Sequence, residues 1–154
     1  MNGSVEKMSS GSPEETRRIG RRFAQALRAG DVIALLGEIG AGKTTFVQGL
    51  ATGLDIPEAS VVSPTFVLIH EYQGRLLLYH ADLFRLDGMP EAANVGIEEC
   101  YEAGGVTLIE WANRIPGVLP SEFLEVRFIV AGVAERIIEV ISHGARYEGR
   151  GWLR

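Results

Sequence analysis

A glycine-rich stretch between an apolar run and a helical segment constrains this chain more than any other feature. Residues 37–45 have the sequence GEIGAGKTT, which matches the pattern G-x-x-x-x-G-K-[ST]. Val32–Leu36 directly before it is a short continuous apolar run, typical of a buried parallel strand. The residues that follow, up to Gly53, have the spacing of a helix. A strand, a glycine loop and a helix in this order predict a P-loop that binds a nucleoside triphosphate.

The pattern predicts a role for each part of this loop. Successive backbone N–H groups and the N-terminus of the following helix would hold the negative phosphates. Lys43 would contact the β- and γ-phosphates, and the Thr44 hydroxyl would bind Mg²⁺. The alternative is a glycine-rich turn with an incidental lysine. The predicted nucleotide-binding residues are Gly37, Glu38, Ile39, Gly40, Ala41, Gly42, Lys43, Thr44 and Thr45.

Composition limits the remaining possibilities. The 154 residues, 46% hydrophobic and 23% charged, fit one ordinary globular domain. No apolar run approaches the roughly 18 residues of a membrane helix, and no secretory signal is visible, so no membrane role is expected. The single cysteine, Cys100, cannot form an internal disulfide, which favours a cytoplasmic location. The net charge of −5 argues against a strong nucleic-acid surface, so contact with RNA would run through a partner.

Two acidic residues at the ends of predicted strands are candidate catalytic groups. Asp82 follows a strand predicted over residues 75–80, where P-loop enzymes keep a Mg²⁺ carboxylate. Its alternative role is the N-cap of a helix over Leu83–Leu86, and His80 is either functional or simply packed. Val106–Ile109 predicts a buried parallel strand that delivers Glu110 in the Walker B arrangement, where it could hold the metal shell or orient the attacking water. Trp111 is a candidate neighbour of that carboxylate or a packed ring.

The remaining pattern predicts an α/β fold, a single P-loop NTPase-type domain with a mixed parallel and antiparallel sheet flanked by helices. Ser12, Pro13 and Glu15 predict a capped helix start, and Gly30 its stop. Paired strands directly after the P-loop helix, joined by a tight turn at Gln73-Gly74, make the sheet mixed. Further predicted elements are strand 66–72, helical pieces within 89–105, and a closing hairpin of strands 124–130 and 136–142.

Further predictions concern the two ends of the chain, a proline-containing loop and the outer face of the first helix. Residues 1–11 are expected to be disordered and 143–154 to be a flexible tail, leaving 12–142 as the ATPase domain. The tetrapeptide Ser63-Pro64-Thr65-Phe66 predicts a structured loop in which Ser63 and Thr65 could sense the γ-phosphate, although a plain loop explains it equally well. The outer face of the first helix, with Arg17, Arg18, Arg21 and Arg22, is interpreted as solvated, with a phosphate or acidic partner as the alternative.

The ordered set of motifs resembles the TsaE (YjeE) family. The resemblance rests on Gly37–Val47, Ser63–Phe66, Tyr79–Leu86, Gly96-Ile97 and Ile109–Trp111, and covers roughly residues 12–142. It implies a small bacterial ATPase needed, with ATP and Mg²⁺, for threonylcarbamoyl modification of the adenosine beside the anticodon in tRNAs that read codons beginning with A. It also implies TsaD-like and TsaB-like partners, with tRNA contacted through their complex and a separate enzyme making the threonylcarbamoyl donor.

Carried over from the family, Lys43, Asp82 and Glu110 become the catalytic residues, and Thr44, Asp82 and Glu110 the metal ligands. Trp111 becomes a functional neighbour of Glu110. The departures, Glu38 for a frequent Asp and Phe66 and Phe84 for a frequent Tyr, keep the charge or the ring.

Other classes of protein remain as alternatives. A P-loop kinase of a small metabolite would need a second pocket and an arginine-bearing lid, and no long insertion offers one. A regulatory GTPase would need an N-K-x-D guanine reader, which the chain lacks. A nucleotide-binding module without turnover is disfavoured by Asp82 and Glu110.

Overall fold

A seven-stranded sheet with helices on both faces organises the chain in the computed structural model, which describes residues 3–38, 40–61 and 69–154. The strands are β1 (Val5–Ser10), β2 (Val32–Leu36), β3 (Ile69–Gln73), β4 (Leu77–Asp82), β5 (Val106–Glu110), β6 (Phe123–Val130) and β7 (Arg136–His143). The α-helices are α1 (Pro13–Gln25), α2 (Lys43–Gly53), α3 (Met89–Val95) and α4 (Ile97–Glu102).

The sheet is mixed, as predicted. Its strand order is β1-β7-β6-β2-β5-β4-β3. The four central strands β6, β2, β5 and β4 are parallel, whereas β3 and the β7–β1 pair add antiparallel edges. Because β2, β4 and β5 point the same way, the loops that follow them meet at one end of the sheet.

Alternating side chains of β2 pack two hydrophobic cores, one on each face of the sheet. Ile33 and Leu35 are fully buried in the core that includes α1 and α2. Val32 and Ala34 point the other way, into the core that includes α3 and α4. Burying one such aliphatic side chain stabilises the fold by roughly 1.5–3 kcal/mol. β2 is buried on both faces, which explains why its sequence is continuously apolar.

Helix α1 begins as predicted and ends earlier than predicted. Ser12 Oγ accepts a hydrogen bond from the Glu15 N–H at 3.1 Å, and Pro13 is the first helical residue. The expected stop at Gly30 is wrong, because the helix ends at Gln25 and residues 26–30 turn back toward the sheet. Gly30, with φ +91°, donates its N–H to the Gly105 carbonyl at 2.6 Å, which ties this turn to the start of β5.

The β3–β4 connection is longer than the predicted two-residue turn. β3 ends at Gln73 and β4 begins at Leu77, and these two residues are register partners. Gly74 packs directly against the Leu54 backbone, so that an added Cβ would lie 2.1 Å from the Leu54 oxygen. The Arg75 N–H donates to the same oxygen at 2.6 Å. These contacts hold the connection against the end of α2 and keep residues 75 and 76 out of the strand.

The predicted disorder of residues 1–11 is wrong for residues 5–10, which form β1. This strand pairs antiparallel with β7 over its whole length, from Val5 opposite Ile141 to Ser10 opposite Arg136. The side chain of Lys7 is ion-paired with Glu139 at 3.2 Å. Pairing with a strand more than a hundred residues away orders a segment that shows no strong local pattern.

The predicted flexible tail at 143–154 is also wrong. Tyr147 and Trp152 are each 1% exposed, and the Trp152 ring lies 4.9 Å from the Phe23 ring of α1. The fully buried carboxylate of Asp31 is hydrogen-bonded by Arg146 and Arg150, at 3.1 and 2.7 Å. The tail therefore packs over the start of β2 and forms part of the main core.

The other predicted elements are found with small differences. The segment 89–105 forms α3 and α4, separated by Gly96 at φ +88°, and β6 and β7 form the predicted hairpin. Leu83–Leu86 forms a turn instead of a helix, and the Leu86 N–H donates a hydrogen bond to the Leu83 carbonyl across it. On α1, Arg18, Arg21 and Arg22 are exposed, as interpreted, whereas Arg17 is half-buried and its Nε lies 3.2 Å from Glu58 Oε1. None of the helices in the described ranges is both long enough and apolar enough to cross a membrane.

Candidate functional site

The loop between β2 and α2 has the backbone that a phosphate cradle requires. Gly37, Gly40 and Gly42 have φ values of +152°, +82° and +104°, which side-chain-bearing residues rarely adopt. An added Cβ on Gly37 would also lie 2.9 Å from the Phe128 carbonyl oxygen of β6. Gly42, the N-cap of α2, has no side chain to cap the helix, and the first turn contains no acidic residue. The first N–H groups of α2 are thus available to an anion.

Lys43 directs its ammonium group inward, across the mouth of this loop. The residue is only 7% exposed. Its Nζ donates to the Gly37 carbonyl at 2.7 Å, lies 3.8 Å from Glu110 Oε1 and lies 4.7 Å from the centroid of the Trp111 ring. A buried ammonium with a carbonyl, one carboxylate and a ring as neighbours can exchange these contacts for a phosphate.

Asp82 and Glu110 are each predicted at a strand end, and the structure places them side by side. They are direct register partners on β4 and β5, and each is the last residue of its strand. Asp82 lies inside β4 rather than just beyond it. Burial raises the pKa of Asp82 above its usual value, the bond from the Phe84 N–H to Oδ1 opposes this, and the nearby Glu110 charge raises it further. The raised pKa means that the ionised form of Asp82 is disfavoured here. A cation between the two carboxylates would offset this destabilisation.

His80 holds the second oxygen of Glu110. The imidazole is fully buried, and its Nε2 lies 2.7 Å from Glu110 Oε2. A carboxylate only accepts, so Nε2 carries the hydrogen of this bond. The other ring nitrogen, Nδ1, has no hydrogen-bond partner in the part of the chain that the structure describes. Leaving a buried polar atom unpaired costs about 1–3 kcal/mol.

Trp111 follows Glu110 in an unusual backbone conformation. Its φ of +62° and ψ of +32° place a bulky residue in the left-handed region, which costs of order 1–3 kcal/mol. This conformation turns the chain sharply after β5 and brings the ring between Lys43 and Phe84, with ring centroids of Trp111 and Phe84 5.0 Å apart. The Arg114 guanidinium lies over the Phe84 ring, 5.5 Å from its centroid.

A cavity of about 280 Å³ opens beside Lys43 and includes residues that the sequence did not single out. Asn113 lines it, brought there by the turn after Trp111, together with Leu35, Leu36, Gly37, Glu38, Lys43 and Trp111. Arg136, at the start of β7, donates from one guanidinium nitrogen to the Gly40 carbonyl at 3.2 Å. No local pattern signals Asn113 or Arg136, because both reach the loop from distant segments.

The structure describes most, but not all, of the other residues predicted for the site. Glu38 and Gly40 are exposed in the loop, Ala41 is fully buried, and Thr44 and Thr45 are half-buried in the first turn of α2. Ile39, Ser63 and Thr65 lie outside the described residues, so the loop assigned to γ-phosphate sensing stays a prediction.

The residues present fit a magnesium nucleotide. Within residues 3–38, 40–61 and 69–154, no three His, Cys, Asp or Glu side chains form a metal cluster. Mg²⁺ does not need one, because it is held by one or two carboxylates, a hydroxyl, water and the substrate phosphates. Asp82 and Glu110 are paired carboxylates, and Thr44 offers a hydroxyl in the first turn of α2, so these residue types match that donor set. Their metal contacts stay predictions.

A family model, related sequences and a solved structure are all similar to this chain over most of its length. The family model described as threonylcarbamoyl adenosine biosynthesis protein TsaE matches residues 10–138. The protein of Bacillus subtilis (strain 168) named tRNA threonylcarbamoyladenosine biosynthesis protein TsaE is 44% identical over 138 residues, covering 89% of this chain and 85% of its own. The protein of that name from Treponema pallidum (strain Nichols) is 40% identical over 131 residues, covering 85% and 96%. The crystal structure of Bacillus subtilis YdiB superposes with a TM-score of 0.82 at 38% identity, covering 97% of this chain and 93% of that one.

Proposed function

The chain belongs to the TsaE family of tRNA threonylcarbamoyladenosine biosynthesis proteins, and on that premise we propose that it is a Mg²⁺-dependent ATPase. The observation that supports this most strongly is the convergence of Lys43 and Glu110. Their Nζ and Oε1 atoms are 3.8 Å apart at the carboxyl ends of β2 and β5. A phosphate-binding lysine beside a buried carboxylate is what phosphoryl transfer to water requires.

The loop residues bind the triphosphate. The N–H groups at the start of α2 donate to phosphate oxygens, and Lys43 leaves the neutral Gly37 carbonyl for an anionic oxygen. This exchange is favourable because charge-assisted hydrogen bonds are roughly twice as strong as neutral ones. Arg136, through the Gly40 carbonyl, helps to hold the tip of the loop in place.

Glu110 orients the attacking water. Once Lys43 pairs with phosphate, Oε1 of Glu110 loses its cationic neighbour and is free to accept a hydrogen bond from water. Thr44, Asp82 and Glu110 would hold Mg²⁺, which would supply positive charge that neutralises the phosphates. Water then adds at the γ-phosphorus while the bond from that atom to the β–γ bridging oxygen breaks, and ADP, inorganic phosphate and the proton lost by the water are released.

Hydrolysis drives a change in contact with partner proteins. The chain devotes its length to one sheet and one nucleotide site, and its net charge of −5 disfavours a direct grip on tRNA phosphates. We therefore assign TsaD-like and TsaB-like proteins as the partners, with tRNA contacted through their complex. Binding to them is tighter with ATP than with ADP.

The test is a steady-state ATPase assay with and without the purified partner proteins, combined with pull-downs in ATP and in ADP. We expect slow turnover alone, faster turnover with partners and nucleotide-dependent capture. Glu110→Ala should still bind ATP while its hydrolysis falls by about 10²–10⁴-fold. Full-speed hydrolysis alone, with partner binding indifferent to nucleotide, would contradict the proposed cycle.

A further inference from the structure

A fully buried histidine lies where the sheet otherwise uses aliphatic side chains. His80 is on the same face of β4 as Leu78, and on neighbouring β5 that face holds Leu108. Both leucines are fully buried in the main core. A leucine at position 80 would continue this packing, whereas the imidazole has one ring nitrogen without a partner in the described ranges. Stability of the fold alone does not explain a histidine here.

Among the residues that the structure describes, the imidazole forms a single hydrogen bond, which is to Glu110. Its Nε2 is 2.7 Å from Oε2, and Lys43 Nζ is 3.8 Å from the other oxygen, Oε1. His80 thus fixes which oxygen points back into the sheet and which one faces the phosphate loop. Without this bond, rotation about the terminal torsion of Glu110 would exchange the two oxygens.

We propose that His80 is the positioning residue of the hydrolytic site. It locks the Glu110 carboxylate through Oε2, so that Oε1 stays aimed at the position of the attacking water after Lys43 has moved to the phosphates. This inference rests on the proposed ATPase function. It assigns His80 no contact with nucleotide or metal, so its loss affects the rate of hydrolysis and leaves nucleotide affinity almost unchanged.

Three variants test this assignment. His80→Leu removes the donor and keeps an apolar side chain of similar size, whereas His80→Gln places an amide N–H near the position of Nε2. Leu78→Val, on the same face of β4 two residues earlier, is the control for damage to the core. Steady-state hydrolysis with partners, ATP affinity by calorimetry and thermal unfolding are measured for each.

We expect His80→Leu to lower kcat by about 100-fold, the effect of a misplaced catalytic group. Its KM and ATP affinity should be nearly unchanged, and its unfolding temperature equal or higher. His80→Gln should recover most of the lost rate. Leu78→Val should lower the unfolding temperature and leave kcat unchanged. An unchanged kcat in His80→Leu would overturn the assignment, as would a loss of rate that follows a loss of stability and is not rescued by Gln.

A measurement without nucleotide separates this inference from the proposed function. NMR of the nucleotide-free protein should show the His80 proton on Nε2, with a resonance that shifts in Glu110→Ala. A proton on Nδ1 alone would overturn the positioning role. If the wild-type protein with its partners hydrolysed no ATP, the proposed function would fail, and this NMR result would still decide whether His80 and Glu110 are joined.

Discussion

The ammonium group of Lys43 lies 4.7 Å from the centroid of the Trp111 ring, so the cation predicted to bind phosphate is in direct contact with the aromatic residue that has left-handed backbone angles. A contact of this kind is worth about 0.5–2 kcal/mol. A phosphate that recruits Lys43 must break it, so the Trp111 ring loses this cation as a neighbour. The surroundings of Trp111 therefore depend on whether nucleotide is bound.

Tryptophan fluorescence should report nucleotide binding through Trp111. Addition of MgATP should change the emission of the wild-type protein, because the cation near the ring moves away. The chain has a second tryptophan, Trp152, which is buried against Phe23 of α1. Trp152→Phe should keep the response and Trp111→Phe should abolish it. A response that survived in Trp111→Phe would show that the signal arises elsewhere.

Asp82→Asn should stabilise the fold and impair hydrolysis. Because folding raises the pKa of Asp82, its favourable contribution is present below the unfolded pKa and lost as pH rises through the folded pKa. At neutral pH the ionised carboxylate therefore destabilises the fold. Asn removes this charge and keeps an oxygen for the Phe84 N–H.

Thermal unfolding and hydrolysis assays of Asp82→Asn test both effects. Its unfolding temperature should rise at pH 7, because the cost of the ionised carboxylate is removed. The gain should disappear in acid, where wild-type Asp82 is protonated. A variant less stable than wild type at pH 7 would show that Asp82 is held by favourable partners instead.

Asp31→Ala should strongly destabilise the protein. The side chain of Asp31 is fully buried and is the anionic partner of Arg150, whose side chain is only 5% exposed. Removing one member of a buried ion pair costs about 3–5 kcal/mol, because the other charge is left uncompensated. Urea unfolding should show this loss. Glu139→Gln, which breaks the more exposed pair with Lys7, is the control and should cost about 0–1 kcal/mol.

Local sequence was sufficient to predict the centre of this fold. β2 lies at Val32–Leu36 as predicted, because a strand buried on both faces must be continuously apolar. Asp82 and Glu110 could each be placed at the carboxyl end of a strand, whereas their pairing on adjacent strands is seen only in the structure. Their metal roles stay predictions.

Segments stabilised by distant partners could not be predicted in this way. β1 is ordered by pairing with β7. The tail is ordered by the contact of the Trp152 ring with Phe23 and by the ion pair of Arg150 with Asp31. The partners in each case are far apart in sequence. The left-handed backbone of Trp111 is a further case, since the favoured conformation of a tryptophan gives no hint of it. The contact of Arg136 with the Gly40 carbonyl was not predicted, because these two residues are also far apart in sequence.

The most direct test of the central claim is calorimetric titration of the protein with ATP, with Mg²⁺ and with EDTA. Wild type should bind ATP in both conditions and more tightly with Mg²⁺. Lys43→Ala should lose most affinity in both, because it lacks the ammonium that meets the phosphates, and Thr44→Ala should lose mainly the Mg²⁺-dependent part. Undiminished ATP binding by Lys43→Ala would contradict the assignment of this loop as the nucleotide site.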